Sequence, residues 1–196
     1  MDRIALVALT GRPGVGKSTV FMKIVEELSS LGYSVYGFYC PEVRERGRRI
    51  GFRIVDIASG ESGWLALEAS RAQQMGYWTC RRRVGRYIVI EGEAERVGLA
   101  SLSRDPGERG VLGIDEVGPM ELLIDRLRLE ILRALETAVR GVVVVHRSLG
   151  GAEVSALLRR RGFEIVNITE VNRGYIHREI VKKFIQGRSD ANLTEK

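Results

Sequence analysis

Two hydrophobic rhythms alternate along the chain. Ile4-Ala5-Leu6-Val7-Ala8-Leu9 is apolar without a polar face, the pattern of a strand buried on both sides of a parallel sheet. Val20, Phe21, Ile24, Val25, Leu28 and Leu31 then recur at helical spacing, and Gly32 offers a stop. Residues 34–39 read as a second strand. Beyond a charged turn at 40–50, residues 51–57 alternate as a strand, and 64–67 can pair back on it across Ser-Gly-Glu-Ser-Gly as a hairpin. Strands with no helix between them predict an antiparallel extension of an otherwise parallel sheet. Residues 69–83 show no clear rhythm. Arg81-Arg82-Arg83 reads as a solvated loop, with a phosphate or nucleic-acid contact as the alternative.

The second half returns to strand–helix alternation. Residues 87–90 predict a strand, and 93–104 a weakly amphipathic helix broken by Asp105-Pro106-Gly107. Residues 111–114 form an apolar run that ends in Asp115-Glu116. Past Gly118-Pro119 a long helix is marked by the stripe Met120, Leu123, Leu127, Ile131, Leu135 and Val139, with Glu130–Arg133 and Glu136–Arg140 as surface pairs and Gly141 as its cap. Residues 142–145 predict another buried strand, ending at His146. Gly150-Gly151 opens a short helix closed by Gly162, 163–169 reads as the last core strand, and Ile176, Ile180, Phe184 and Ile185 mark a terminal helix. The expectation is one α/β domain over 1–187, with about 40–90 as the antiparallel insertion and 188–196 as a flexible tail.

Composition narrows this picture. Hydrophobic residues at 44% and charged residues at 29% describe a globular protein with a sizeable core, and no apolar run reaches the ~20 residues of a membrane span. With Cys40 and Cys80 alone, a disulfide scaffold is excluded, and a reducing, cytoplasmic setting is expected. The formal net charge of +6 fits attraction for a polyanionic nucleotide. Nucleic-acid binding is the less favoured reading, because the basic residues look scattered rather than interleaved with aromatics.

Two stretches carry chemistry. Gly11-Arg12-Pro13-Gly14-Val15-Gly16-Lys17-Ser18-Thr19 matches the phosphate-binding (Walker A) loop, and it stands between a predicted strand and a predicted helix, as that motif requires. Glycines let backbone N–H groups converge on phosphate oxygens, and the helix N-terminus adds partial positive charge. Lys17 would reach the β- and γ-phosphates, and the Ser18 hydroxyl would ligate Mg²⁺. The second stretch, Asp115-Glu116 at the C-terminal end of its strand, has the form of a Walker B element. Ligands of open α/β sheets bind at that end. Asp115 would hold Mg²⁺ and Glu116 would polarise the attacking water. Gly118 and His146 are further candidates to line the nucleotide, as are Asn172 and Arg173 after the last strand.

Beyond the phosphate loop, the chain contains Gly37-Phe38-Tyr39, Glu42-Val43-Arg44, Gly51-Phe52, Val84-Gly85-Arg86-Tyr87, Asp115-Glu116-Val117-Gly118-Pro119-Met120-Glu121-Leu122 and Asn172-Arg173. In these it resembles the THEP-type, or cancer-related, nucleoside-triphosphatases over nearly its whole length. The resemblance implies a RecA-like variant of the P-loop fold and slow Mg²⁺-dependent hydrolysis of ATP, GTP and other triphosphates. Cys40-Pro41 and Leu123 depart from the family pattern at positions not expected to touch the phosphate chemistry. A P-loop kinase and a nucleic-acid-associated ATPase are the competing classes. Glu116 speaks against the kinase, since a water-activating carboxylate serves hydrolysis. Nucleoside triphosphates are the expected partners of a monomer or weak oligomer, and Arg44, Arg49, Arg86 and Arg173 are candidates for an arginine acting in cis or in trans.

Overall fold

A computed structural model describes residues 5–146 and 151–186. Its sheet has ten strands. Five of them, β1 (Leu6–Gly11), β2 (Ser34–Tyr39), β8 (Gly110–Val117), β9 (Gly141–Val145) and β10 (Glu164–Ile168), run parallel in the order β10-β1-β9-β8-β2. The antiparallel extension continues from β2 through β4 (Arg48–Asp56), β5 (Ser62–Glu68), β7 (Tyr87–Val89) and β6 (Arg83–Val84), with β3 (Glu42–Glu45) pairing with β4 off this path. Strand β2 is the seam, parallel to β8 on one side and antiparallel to β4 on the other.

Strand alternation divides the core into two layers. In β9, Val142 and Val144 face α1 (Lys17–Ser30) and α7 (Ile176–Gln186), where Phe21, Ile24, Leu28, Ile180 and Phe184 are buried. Val143 and Val145 face α3 (Glu91–Leu102), α5 (Asp125–Thr137) and α6 (Gly151–Arg160). A smaller cluster of Leu67, Ala72, Ile88 and Ile90 lies under α2 (Ala69–Gln74). Among the described residues, no helix is long and apolar enough to cross a membrane.

Several local expectations need correction. The charged turn at 40–50 contains β3, and β4 begins at Arg48 rather than Gly51, because an exposed hairpin is held by ladder bonds and ion pairs that hydrophobic patterning does not register. The long helix after Gly118-Pro119 is two helices. α4 (Pro119–Leu122) ends at Leu123, and Ile124 takes an extended conformation before α5. The apolar stripe runs through this break because Ile124 is fully buried in spite of it. Thr137 ends α5, so Val139 is exposed and Gly141 belongs to β9 rather than to a cap. Glu130–Arg133 pairs as expected, whereas Glu136 pairs with Arg160 and Arg140 donates to the Glu108 carbonyl. Leu31 and Ile185 are exposed rather than in the core. Strand β10 is an edge, with Ile165 exposed. The start of α6 at Gly150 and the tail at 188–196 lie outside the described residues.

Candidate active site

The phosphate loop leaves β1 at Gly11 and enters α1 at Lys17. Gly11 tolerates no side chain, because a Cβ there would stand 2.6 Å from the Ile168 carbonyl oxygen of β10. Arg12, Pro13 and Gly14 form the exposed crown, Val15 is buried beneath it, and Ser18 and Thr19 face outward from the first turn of α1. No side chain caps that turn, so its N–H groups are left open to an anion. Lys17 folds back over the loop and donates to the carbonyls of Gly11 and Arg12, each at 3.3 Å.

Asp115 meets this loop from β8. It is buried, and burial lifts its carboxyl to about 7 even though the Ser18 hydroxyl and Lys17, both close by, pull it down. Glu116 is half-buried beside it, across a cis peptide bond. The Val117 carbonyl accepts from the His146 backbone N–H at 3.3 Å, so the end of β9 borders the segment carrying both acids. Among the described residues no trio of His, Cys, Asp or Glu is arranged to hold a metal alone. One hydroxyl and one carboxylate, both hard oxygen donors, fit a Mg²⁺ that takes its other ligands from phosphates and water.

Two residues stand behind the acids in roles the sequence reading did not assign. Glu121, at the third position of α4, is buried and accepts the Gly118 N–H at 3.0 Å. A Cβ on Gly118 would lie 3.0 Å from the Glu121 carboxylate and 3.2 Å from that of Glu116, so the two carboxylates flank this glycine. Burial raises the Glu121 carboxyl to about 8, with Glu116 adding to the effect. The signal available in the sequence was an acid at N3 of a helix opened by proline, the usual closer of a capping box. Cys40, expected to be remote from the chemistry, lies against Glu121 and within electrostatic reach of Asp115; burial pushes its thiol well up.

Asn172 and Arg173 arrive after β10. Asn172 spends its side chain on its own turn, accepting the Thr169 N–H at 2.8 Å and donating to the Asn167 carbonyl at 2.9 Å. That turn delivers Arg173, which donates to the Val15 carbonyl at 3.3 Å. Arg44 and Arg49 are bound to Glu42, and Arg86 stacks on Tyr87, all in the antiparallel extension. Of these four arginines, Arg173 lies against the phosphate loop.

A family profile described as NTPase matches residues 6–181. The chain belongs to this nucleoside-triphosphatase family. It is 41% identical to nucleoside-triphosphatase THEP1 of Saccharolobus solfataricus over 175 residues, covering 89% of this chain and 90% of the relative. With THEP1 of Ignicoccus hospitalis the identity is 45% over 154 residues, 79% of this chain and 82% of the relative. The solution structure of a human cancer-related nucleoside triphosphatase superposes with a TM-score of 0.75 at 33% identity, covering 94% of this chain and 99% of that one. The crystal structure of THEP1 from Aquifex aeolicus superposes at 0.73 with 29% identity, covering 89% and 95%. These neighbours share the P-loop α/β architecture in which the family's members are built.

Proposed function

We propose that this chain is a Mg²⁺-dependent nucleoside-triphosphatase that splits the β–γ bond of ATP, GTP and other triphosphates with little regard for the base. The approach of the Ser18 hydroxyl to Asp115 carries this reading, because it brings the phosphate loop and the end of β8 together as one site. Ser18 and Asp115 would hold Mg²⁺, which when bound offsets charge on the phosphate oxygens. Lys17 would exchange the Gly11 and Arg12 carbonyls for the β- and γ-phosphates. The open N–H groups of the first α1 turn would receive phosphate oxygens, and Glu116 would take a proton from the attacking water. Arg173 adds positive charge beside the loop. Base indifference follows from a grip made by backbone groups on phosphates, and the chain has no Asn/Thr-Lys-x-Asp tetrad to select guanine.

The deciding experiment measures phosphate release from ATP, GTP, CTP and UTP, with Mg²⁺ and with EDTA, in the absence of any acceptor. All four should turn over within about tenfold of one another, a spread of about 1.4 kcal/mol, and EDTA should stop release. A hundredfold preference for one base would reveal a reading pocket. Turnover that needs an added acceptor would mark a kinase.

A further inference from the structure

The geometry points to a second ligand site at the sheet edge opposite the phosphate loop, one that takes a nucleotide unit with its base on Trp78 and its phosphates on Arg81 and Arg83. Gln73, Tyr77, Trp78, Cys80, Arg81, Arg83 and Ile88 line an open pocket of about 240 Å³ there. That is below the ~300–1,000 Å³ of drug-sized sites, and suits one base rather than a whole cofactor. β6 forms the edge of the sheet, and loop 75–82 leads into it.

Three observations converge on this ligand chemistry. Trp78 is 71% exposed, well above the other exposed large apolar side chains of this half. A tryptophan face left in water beside cations is a platform for stacking. Arg81 and Arg83 are exposed and have no ion-pair or hydrogen-bond partner among the described residues. Their neighbours differ: Arg48 pairs with Glu68, Arg71 with Glu45, and Arg82 with Glu91 and Asp125. The nearby acids are also engaged. Glu91 faces Arg82, and Glu93 accepts from the Tyr77 hydroxyl and from the Trp64 N–H at 2.8 Å. In extended chain, residues i and i+2 share a face. Arg82 is tied inward to the Leu123 carbonyl and Asp125, which leaves Arg81 and Arg83 together on the pocket side. Here, alone in the extension, unpaired arginines and an uncovered indole meet.

A stackable base bearing phosphate can come from a single strand or from a free nucleoside monophosphate. The test follows the anisotropy of a fluorescein-labelled twelve-nucleotide oligouridylate, with the phosphate loop occupied by Mg²⁺ and a non-hydrolysable triphosphate. UMP serves as competitor. Saturable binding is expected. Trp78→Ala should weaken it roughly tenfold to hundredfold, the usual worth of one base–aromatic stack. Arg81→Ala and Arg83→Ala should each lower the slope of log affinity against log salt by about 0.7. All three variants should keep wild-type ATP turnover and melting temperature, and Lys17→Ala should keep oligonucleotide binding even if it loses hydrolysis. In Trp64→Phe, Trp78 is the sole tryptophan, and its fluorescence should be quenched by whichever ligand binds. Competition by UMP at equal nucleotide concentration identifies the free monophosphate as the source; indifference to UMP identifies the strand. The proposal fails if neither ligand binds, or if binding is unchanged in Trp78→Ala and in both arginine variants.

Discussion

Both halves of the sheet have a buried inner layer, with Ile54, Leu65 and Leu67 of the antiparallel half at 0–1% exposure, but they differ in what holds their outer surfaces. In the parallel half, Val142, Val143, Val144 and Val145 are each 0% exposed, and helices cover both faces. In the antiparallel half, the outer hairpin is exposed and held by charge: Glu42 bridges Arg44 and Arg49, Glu45 takes Arg71, and Arg49 and Arg53 lie over Phe52 and Trp64. Exposed pairs of this kind contribute about 0–1 kcal/mol each, whereas a buried aliphatic side chain contributes about 1.5–3 kcal/mol. The parallel half, covered by helices on both faces, carries the phosphate loop and both acids, where placement must hold to fractions of an ångström. The antiparallel half carries Arg81 and Arg83 beside Trp78. Where the halves join, β2 delivers Tyr39 opposite Asp115 and Cys40 beneath Glu121.

The comparison is tested most severely at Lys17. Lys17→Ala removes the ammonium that folds over the loop, and phosphate release should be nearly abolished. The melting temperature should barely move, since Lys17 bonds to loop carbonyls and not to the core. Near-normal turnover would move the chemistry out of the parallel half. Next comes Glu116→Gln, which retains size and hydrogen bonding but cannot draw a proton. Single-turnover rates should fall by roughly 10²–10⁴, with affinity for a non-hydrolysable Mg-nucleotide close to wild type. An equal loss of affinity would make Glu116 a binding group instead.

A smaller effect is expected at the seam. Glu121→Ala strands the Gly118 N–H, and a lost buried hydrogen bond of about 1–3 kcal/mol is worth roughly tenfold to hundredfold in rate. Glu121→Gln keeps an acceptor for that N–H and should recover most of kcat with KM unchanged. If Gln behaves like Ala, the carboxyl group itself matters and not its hold on Gly118.

The smallest effect belongs to Asp56, which ends β4 opposite Phe38 of β2. Burial alone would raise its carboxyl, but Arg104 and the N–H groups of Ala58 and Ser59 outweigh that and hold it below the ordinary carboxylate value. A depressed folded value means that this stabilisation is present above about pH 4 and is lost as pH falls through the lower folded value. Arg104→Ala should lower the melting temperature slightly at pH 7, since Arg104 is partly exposed and water screens the pair. The variant's deficit should shrink toward zero on acidification, followed by thermal melting from pH 7 to pH 3. A deficit that stays constant with pH would assign the loss to packing.

Sequence legibility follows the same division. Strands β1, β8 and β9 were readable because full burial writes itself as unbroken apolar runs, and the phosphate loop because its glycines answer to backbone geometry. Strand β3 was not, since Glu42, Arg44 and Glu45 leave no apolar face and its pairing rests on ladder bonds. The break between α4 and α5 was hidden because Leu123 and Ile124 keep the stripe going while the backbone turns. Arg173 could be named as a candidate, but its seat against Val15 depends on a turn built by Asn172 that no spacing reveals. Glu121 was quoted within a motif and left without a role, although its place at the third helical position after Gly118 marked it as a cap; the fold adds that it is buried beside Glu116.

The contact between Arg173 and Val15 spans 158 residues of chain, and Gly11 presses on Ile168 from a similar distance. The phosphate loop therefore leaves the ribosome long before the strand and turn that seat it. At ~5–20 residues per second, the lag is roughly 8–30 s. During that interval the nascent chain carries a glycine loop with no floor under Gly11 and no cation at Val15. The seat of the phosphate loop is thus complete only once Ile168 and Arg173 have been made.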